Sequence, residues 1–316
     1  MNIDIVTHDG KFHPDEIFAS VLLMWWKCLE KPKFKRTRNE QALARYKSNE
    51  NTFVIDVGGE YNPDKLNFDH HQASFTDLGE NGDRLSSCGL LWKYVLEQED
   101  FRRVCYITEF IEKKVTEFTI RVDRHDNGDD YFPELDFITM FNYANLKPND
   151  KFREAFKAAE KYFHQKVYMW RLEEEAELKA EKAIEEAQDG IIFVDGKISI
   201  NEKMNCSPNY LVVSERTKDE WCITSLNQWD KVDFSVRCPA PKEWAGLSNA
   251  DIQKFDKNLI FCHKNLFLSI VKGTKDDAIR VANFIISEHR RIKKEKALDF
   301  IAEIRDGFLD ELQKDK

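Results

Sequence analysis

Five of the eight histidines in this 316-residue chain lie before residue 126, in the company of aspartates. His8, His13 and Asp15 are close together, Asp56 ends an apolar run, Asp69-His70-His71 is a contiguous triplet, and Asp123, His125 and Asp126 form a further group. A lone histidine in any of these places reads as a surface or hydrogen-bonded core residue. Together they offer imidazole and carboxylate without cysteine, a donor set that suits Mn²⁺, Mg²⁺ or Fe²⁺ better than a structural zinc. There are more donors than one ion needs. Two divalent ions about 3.5–4 Å apart bridge a water, lower its pKa and hold the attacking and leaving oxygens of a phosphoryl transfer.

Such groups must be brought together by the elements between them. Ile3 to Thr7 reads as a buried strand, and Asp15 through Trp26 as a helix with Ile17, Val21, Leu22, Met24 and Trp25 on its apolar face. The polar turn Thr7 to Pro14 carries the first two histidines. A second apolar run, Thr52 to Val57, stops at Gly58-Gly59, and the next helix begins with Ser86 or Ser87 as its cap. Strand, helix, strand, helix implies a parallel sheet. Ligands of such sheets bind outside the carboxyl ends of the strands, so the sets around His8 and Asp56 are expected to face one crevice. Ile111, Val115, Phe118 and Val122 have helical spacing, with Gly128 as a stop. On that helix Asp123 and Asp126 are three apart and share a face.

From Asp150 to about Gln188 the chain is rich in Glu, Lys, Ala and aromatics, without Gly or Pro, which predicts one or two long helices. After Asp189-Gly190 come short apolar runs at 191–194, 210–213, 221–223 and 259–263, read as strands of a second α/β unit. An amphipathic helix, Asp276 to Arg290, and a solvated Lys/Glu-rich helix to Lys316 follow. The expected layout is α/β: a parallel-sheet domain at 1–150, a helical connector at 151–189 and a smaller α/β domain at 190–316.

Apolar residues make up 42% and charged residues 33%, which fits a folded protein with a sizeable core. No run approaches a membrane span, and a membrane role is not expected. The start of the chain has no basic, hydrophobic-cored leader, so the expectation is a cytoplasmic protein. Seven scattered cysteines without a C-x-x-C pair read as reduced thiols, mostly buried. A net charge of −9 argues against coating nucleic acid by bulk attraction but not against a nucleic-acid enzyme, whose metal supplies positive charge locally. Nothing in the sequence decides between a monomer and a homodimer.

The motifs resemble those of the Myg (melanocyte proliferating gene) exonuclease family, within the DHH phosphoesterase superfamily. The resemblance rests on the H-x4-H-x-D-E pattern from His8 to Glu16, Ile55-Asp56-Val57-Gly58-Gly59-Glu60-Tyr61-Asn62-Pro63, Asp69-His70-His71-Gln72, Leu85 to Leu90, Val122-Asp123 and Asp126-Asn127-Gly128. Pro241 to Leu247 and Phe261-Cys262-His263 resemble the family's C-terminal signature, so the match covers most of the chain. It implies a DHH-type catalytic domain with a substrate-binding domain, a manganese-favoured pair of ions with Mg²⁺ as the other choice, and RNA processing from the 3′ end. His8 and His13 would bind one ion, Asp15 the other, and Asp56 would bridge them. His70 would bind metal, His71 would face the phosphate, and Asp123 or Asp126 would complete the second ion.

Further substrate contacts are expected at Arg36 and Arg38 in the basic stretch Lys31 to Arg38, at Ser86 and Ser87, and at His263. The plainer readings are a solvated strand, a helix cap and a satisfied histidine. The family has a Gly-Gly pair soon after the counterpart of His263, where this chain has Ser269-Ile270. Short oligonucleotides or small phosphorylated metabolites are the alternative substrates, and a non-catalytic nucleic-acid-binding relative is the alternative class.

Overall fold

The computed structural model describes residues 3–28, 32–73, 75–76, 78–79, 81–228 and 235–314. The chain divides into two units, Met1–Glu174 and Glu175–Lys316.

In the first unit β1 (Asp4–Thr7), α1 (Pro14–Lys27), β2 (Lys33–Arg36), α2 (Glu40–Lys47) and β3 (Thr52–Ile55) alternate, followed by the short strands β4 (Tyr61–Asn62) and β5 (Asn67–Phe68). They form one sheet in the order β2-β1-β3-β5-β4. All neighbours are parallel except β4 and β5. Side chains alternate between the two faces of a strand, and here both faces are covered. Ile5, Phe53 and Ile55 join the main core, while Val6 and Val54 pack with Leu43 of α2 and Val57. The edge strand β2 leaves Lys33 and Lys35 exposed and half-buries Phe34 and Arg36, the alternation expected of a solvated strand. Lys31, where that basic stretch begins, lies outside the described residues.

The unit continues with α3 (Ser87–Leu96), α4 (Phe101–Val104), α5 (Glu109–Asp126), α6 (Asp136–Met140) and the start of α7 (Pro148–Glu185). Helices α1, α3 and α5 pack on one another. Ile17, Leu22, Leu90, Leu91, Val115 and Val122 are all buried in this core, and Trp26 is 2% exposed.

Helix α7 is a single helix, and the division of the chain falls within it. In the second unit its Ala180 and Ala183 pack with Ile192, Val194 and Val212, so this core begins well before residue 190. The elements are β6 (Ile191–Val194), α8 (Glu202–Cys206), β7 (Leu211–Thr217), β8 (Glu220–Ser225), β9 (Leu259–Cys262), β10 (Leu268–Lys272) and α9 (Lys275–Lys314). The sheet order is β6-β7-β8-β10-β9, parallel only between β6 and β7. The two stretches read from sequence as an amphipathic and a solvated helix are one continuous helix, α9. No described helix is long and apolar enough to cross a membrane. All seven cysteines are free, four of them buried.

Candidate metal centre

Three neighbouring parallel strands, β1, β3 and β5, end at one edge of the first sheet, and the residue after each carries a functional group. His8 follows Thr7, Asp56 follows Ile55, and Asp69-His70-His71 follows Phe68. Adjacent strands lie about 4.8 Å apart, close enough for these side chains to meet. The start of α1 brings His13, Asp15 and Glu16, and the end of α5 brings Asp126.

Three overlapping sets result: His8, His13, Glu16 and Asp56; Asp56, His70 and His71; and His13, Asp15 and Asp126, each with its donor atoms within 4.8 Å of one another. Asp56 and His13 each belong to two sets. His8 Nε2 is 3.1 Å from Glu16 Oε1 and 3.1 Å from Asp56 Oδ2. His70 Nε2 lies 3.5 Å from Asp56 Oδ1 and 3.4 Å from Asp126 Oδ2. The expected residues His8, His13, Asp15, Asp56, His70 and Asp126 therefore surround one space.

The electrostatics of this space call for a cation. Both carboxylate oxygens of Asp15 are buried and receive no hydrogen bond. Burial, then the charges of Asp126, Asp56 and Glu16, push the Asp15 carboxyl well above its ordinary range. Asp126 is raised too, by burial and then by Asp56. Buried carboxylates crowded in this way are costly unless a positive charge compensates them. Burial pulls the His8 imidazole down, but hydrogen bonds with Asp56 and Glu16 more than offset it and raise it to about 10. Burial would raise Asp56, yet its hydrogen bonds with His70, His71 and His8 hold it well below the carboxylate range. The donor set and the orphaned oxygens of Asp15 fit divalent ions.

Two acids belong to this neighbourhood in different ways. Glu16, given no role from sequence, is fully buried and has two tasks. Its Oε2 accepts from the His13 N–H at 2.8 Å, a helix-capping bond, while Oε1 faces His8. The signal was the terminal acid of the H-x4-H-x-D-E pattern. Asp123, by contrast, is turned to α3: its Oδ1 accepts from Ser86 N at 3.1 Å, Ser86 Oγ at 2.6 Å and Gly89 N at 2.9 Å. It serves the unpaired N–H groups of that helix start. Burial still pushes its carboxyl up to about 7, against those hydrogen bonds. A Cβ on Gly89 would lie 2.2 Å from Asp123 Oδ2, so glycine alone fits between α3 and α5.

Ser86 caps α3, accepting from Cys88 N, and Ser87 Oγ donates to Asp56 Oδ1 at 3.2 Å. Both serines are fully buried and engaged inward. His71 is different. Its side chain is 63% exposed, and Nδ1 lies 2.9 Å from Asp69 Oδ1 and 3.3 Å from Asp56 Oδ1. Hydrogen bonds to Asp56 and then Asp69 raise its imidazole to about 10. Asp69 is itself fixed by the Gly59 N–H at 2.6 Å, made available by a left-handed glycine with φ of 63°.

Arg36 lies under the loop that carries the first histidines: it donates to Gly10 O at 3.1 Å, and its guanidinium is 5.3 Å from the Phe12 ring and 4.7 Å from that of Phe152. Arg38 is exposed, 3.7 Å from Asp9 Oδ1. His263 belongs to the second unit, in the turn between β9 and β10, where its Nδ1 accepts from Asn265 N at 3.1 Å. Ser269 and Ile270 are ladder residues of β10, paired with both β8 and β9.

Among known proteins, this chain is 27% identical to the MYG1 protein of Chlamydia trachomatis serovar D over 312 residues, covering 90% of this chain and 97% of that one. It is also 27% identical to the MYG1 exonuclease of Homo sapiens over 334 residues, covering 90% and 86%. A solved pGpG-specific phosphodiesterase, PggH from Vibrio cholerae, matches over 92% of this chain and 99% of its own, with 11% identity and a TM-score of 0.32, too slight a likeness to bear on fold or substrate. The MYG1_exonuc model, described as Uncharacterised protein family (UPF0160), matches residues 4–286, and the chain belongs to that family.

Proposed function

We propose that the chain is a metal-dependent phosphodiesterase of the DHH type, acting as a 3′ to 5′ exonuclease on RNA with two divalent ions, manganese before magnesium. The observation that carries the reading is the convergence of imidazole and carboxylate donors on Asp15, a fully buried acid whose two oxygens receive no hydrogen bond. His8, His13 and Asp56 would hold one ion; Asp15, Asp56, His70 and Asp126 would hold the other. When bound, the ions would supply a water of lowered pKa and neutralise charge on the reacting phosphate.

The remaining residues orient and donate. Glu16 fixes the His8 ring, and Ser87 steadies Asp56. Asp69 and Asp56 hold Nδ1 of His71, which would leave Nε2 of this exposed ring to donate to a phosphate oxygen. The second unit is proposed to bind the polymer behind the reacting phosphate. The name of the human relative, an exonuclease, agrees with this reading.

A second reading, hydrolysis of dinucleotides, is favoured by Ser269 and Ile270, which lie in sheet ladders and offer no glycine backbone for close approach. The test is incubation with Mn²⁺ and 5′-labelled RNA, DNA, dinucleotides and pyrophosphate, with product length followed in time. Stepwise shortening of RNA supports the exonuclease; cleavage of dinucleotides alone supports the second reading. Full activity in chelator would end both.

A further inference from the structure

The loop Gly10 to Phe12, between His8 and His13, is pinned from beneath. Arg36 donates to Gly10 O at 3.1 Å, and Asn142 both accepts from Phe12 N at 3.1 Å and donates to Phe12 O at 2.8 Å. Asn142 is held in turn by Lys151 Nζ on its carbonyl at 3.1 Å. Phe12 itself is buried, edge-on to Phe152 with ring centroids 5.5 Å apart. The next residue after Asn142, Tyr143, is 79% exposed, and the Nζ of the exposed Lys11 lies 5.5 Å from its ring centroid.

A single exposed aromatic is ordinary on a protein surface. What sets Tyr143 apart is its fixed footing and its place: Asn142 ties it to the residue next to His13, and Lys11 is two residues from His13, a chain span of at most about 7 Å. A flat ring beside a cation, held next to a phosphate-processing centre, is the arrangement that takes unpaired bases. We infer that Tyr143 is the stacking platform for the base of the nucleotide whose phosphate enters the metal centre, with Lys11 meeting the adjoining backbone. This rests on the reading of the site as one for nucleotide phosphodiesters. Every base has a π face, so the platform selects single strands without selecting sequence. Lysine is a flexible, hydrated point charge, and it yields the ring face to a base.

The test measures binding rather than turnover. A diadenosine dinucleotide with methylene in place of the scissile oxygen, and its counterpart lacking the terminal base, are titrated calorimetrically with Mn²⁺ into the full chain, Tyr143→Ala and Tyr143→Phe. The parent should prefer the base-bearing ligand. Tyr143→Ala should lose about ten-fold of that preference, within the range for one base–aromatic stack, and Tyr143→Phe should keep it. An unchanged ratio in Tyr143→Ala, equal losses in the two variants, or no preference in the parent would overturn the platform. Turnover of the oxygen-bridged dinucleotide by the parent is followed separately. Its absence would retire the dinucleotide reading and, together with no shortening of RNA, the hydrolase reading as a whole, while the binding ratio decides Tyr143 in either case.

Discussion

Asp56 has a φ of 58°, in the left-handed region, one residue beyond β3. That conformation costs a residue with a Cβ about 1–2 kcal/mol, although aspartate and asparagine adopt it more readily than others. The backbone would suit glycine, yet the carboxylate meets His8, His70, His71 and Ser87. Asp56→Asn and Asp56→Ala should both lose at least about 100-fold in turnover, since even outer-shell changes at metal sites cost 10–100-fold. They should part in stability. Asp56→Ala is expected to unfold at lower urea, by about 1 kcal/mol relative to Asp56→Asn. Equal midpoints would show that the strain is relieved elsewhere. Asp56 was legible in the sequence because it ends an apolar strand run. Glu16 drew no role although it ends the H-x4-H-x-D-E pattern, because its contact with His8 across the loop has no counterpart in sequence spacing.

At the scale of elements, the pairing of α3 with α5 separates two aspartates that sequence spacing leaves equivalent. Three residues apart on one helix, they share a face in any helical projection, and only the neighbouring helix tells them apart. Asp123→Ala would leave the N–H groups of Ser86 and Gly89 buried without an acceptor and should cost about 1–3 kcal/mol in unfolding free energy. Its metal content should hold. Asp126→Ala should instead lower the metal bound per chain, read by elemental analysis after dialysis. The reverse pattern would exchange the roles given to them. β1, β3 and α1 could be read in advance from their apolar periodicity. β4 and β5, two residues each, are too short to show any alternation. The end of β5, which delivers the Asp-His-His triplet beside Asp56, was therefore invisible as a strand end.

For the whole molecule, the metal centre sets how stability depends on pH. In the metal-free protein Asp15 and Asp126 are raised and Asp123 is raised to about 7, so the folded state binds protons that the unfolded chain has released. Their contribution falls as pH rises from about 4 through the folded values. His8 and His71, raised to about 10, contribute stability that is complete below about 6.5 and is lost as pH climbs toward 10. Asp56 and Asp69 are lowered, and their contribution disappears only in acid, below the carboxylate range. Between pH 5.5 and 8 the chelated protein should thus unfold at progressively lower urea. Mn²⁺ should cancel or reverse the trend, because it binds the deprotonated acids. A chelated protein that gains stability across this window would contradict the carboxylate cluster. The sequence changes pattern near residue 190, whereas the chain divides at Glu174, inside the uninterrupted helix α7, where the helical periodicity gives no mark.

The glycine at 89 makes the alignment of the centre a matter of mechanical clearance. Position 89 holds no ligand and no charge, yet one added methyl would collide with a carboxylate that three hydrogen bonds keep from turning aside. The relief open to the chain is for α5 to ride outward, and Asp126 travels with it. Gly89→Ala would then retain every donor by composition while spoiling their fit, like a lock with all its pins and a shifted cylinder. The expected signature is weaker Mn²⁺ binding by electron paramagnetic resonance titration, with the circular dichroism of the parent preserved. Such a variant silences the centre without changing any residue that an inhibitor or substrate would touch.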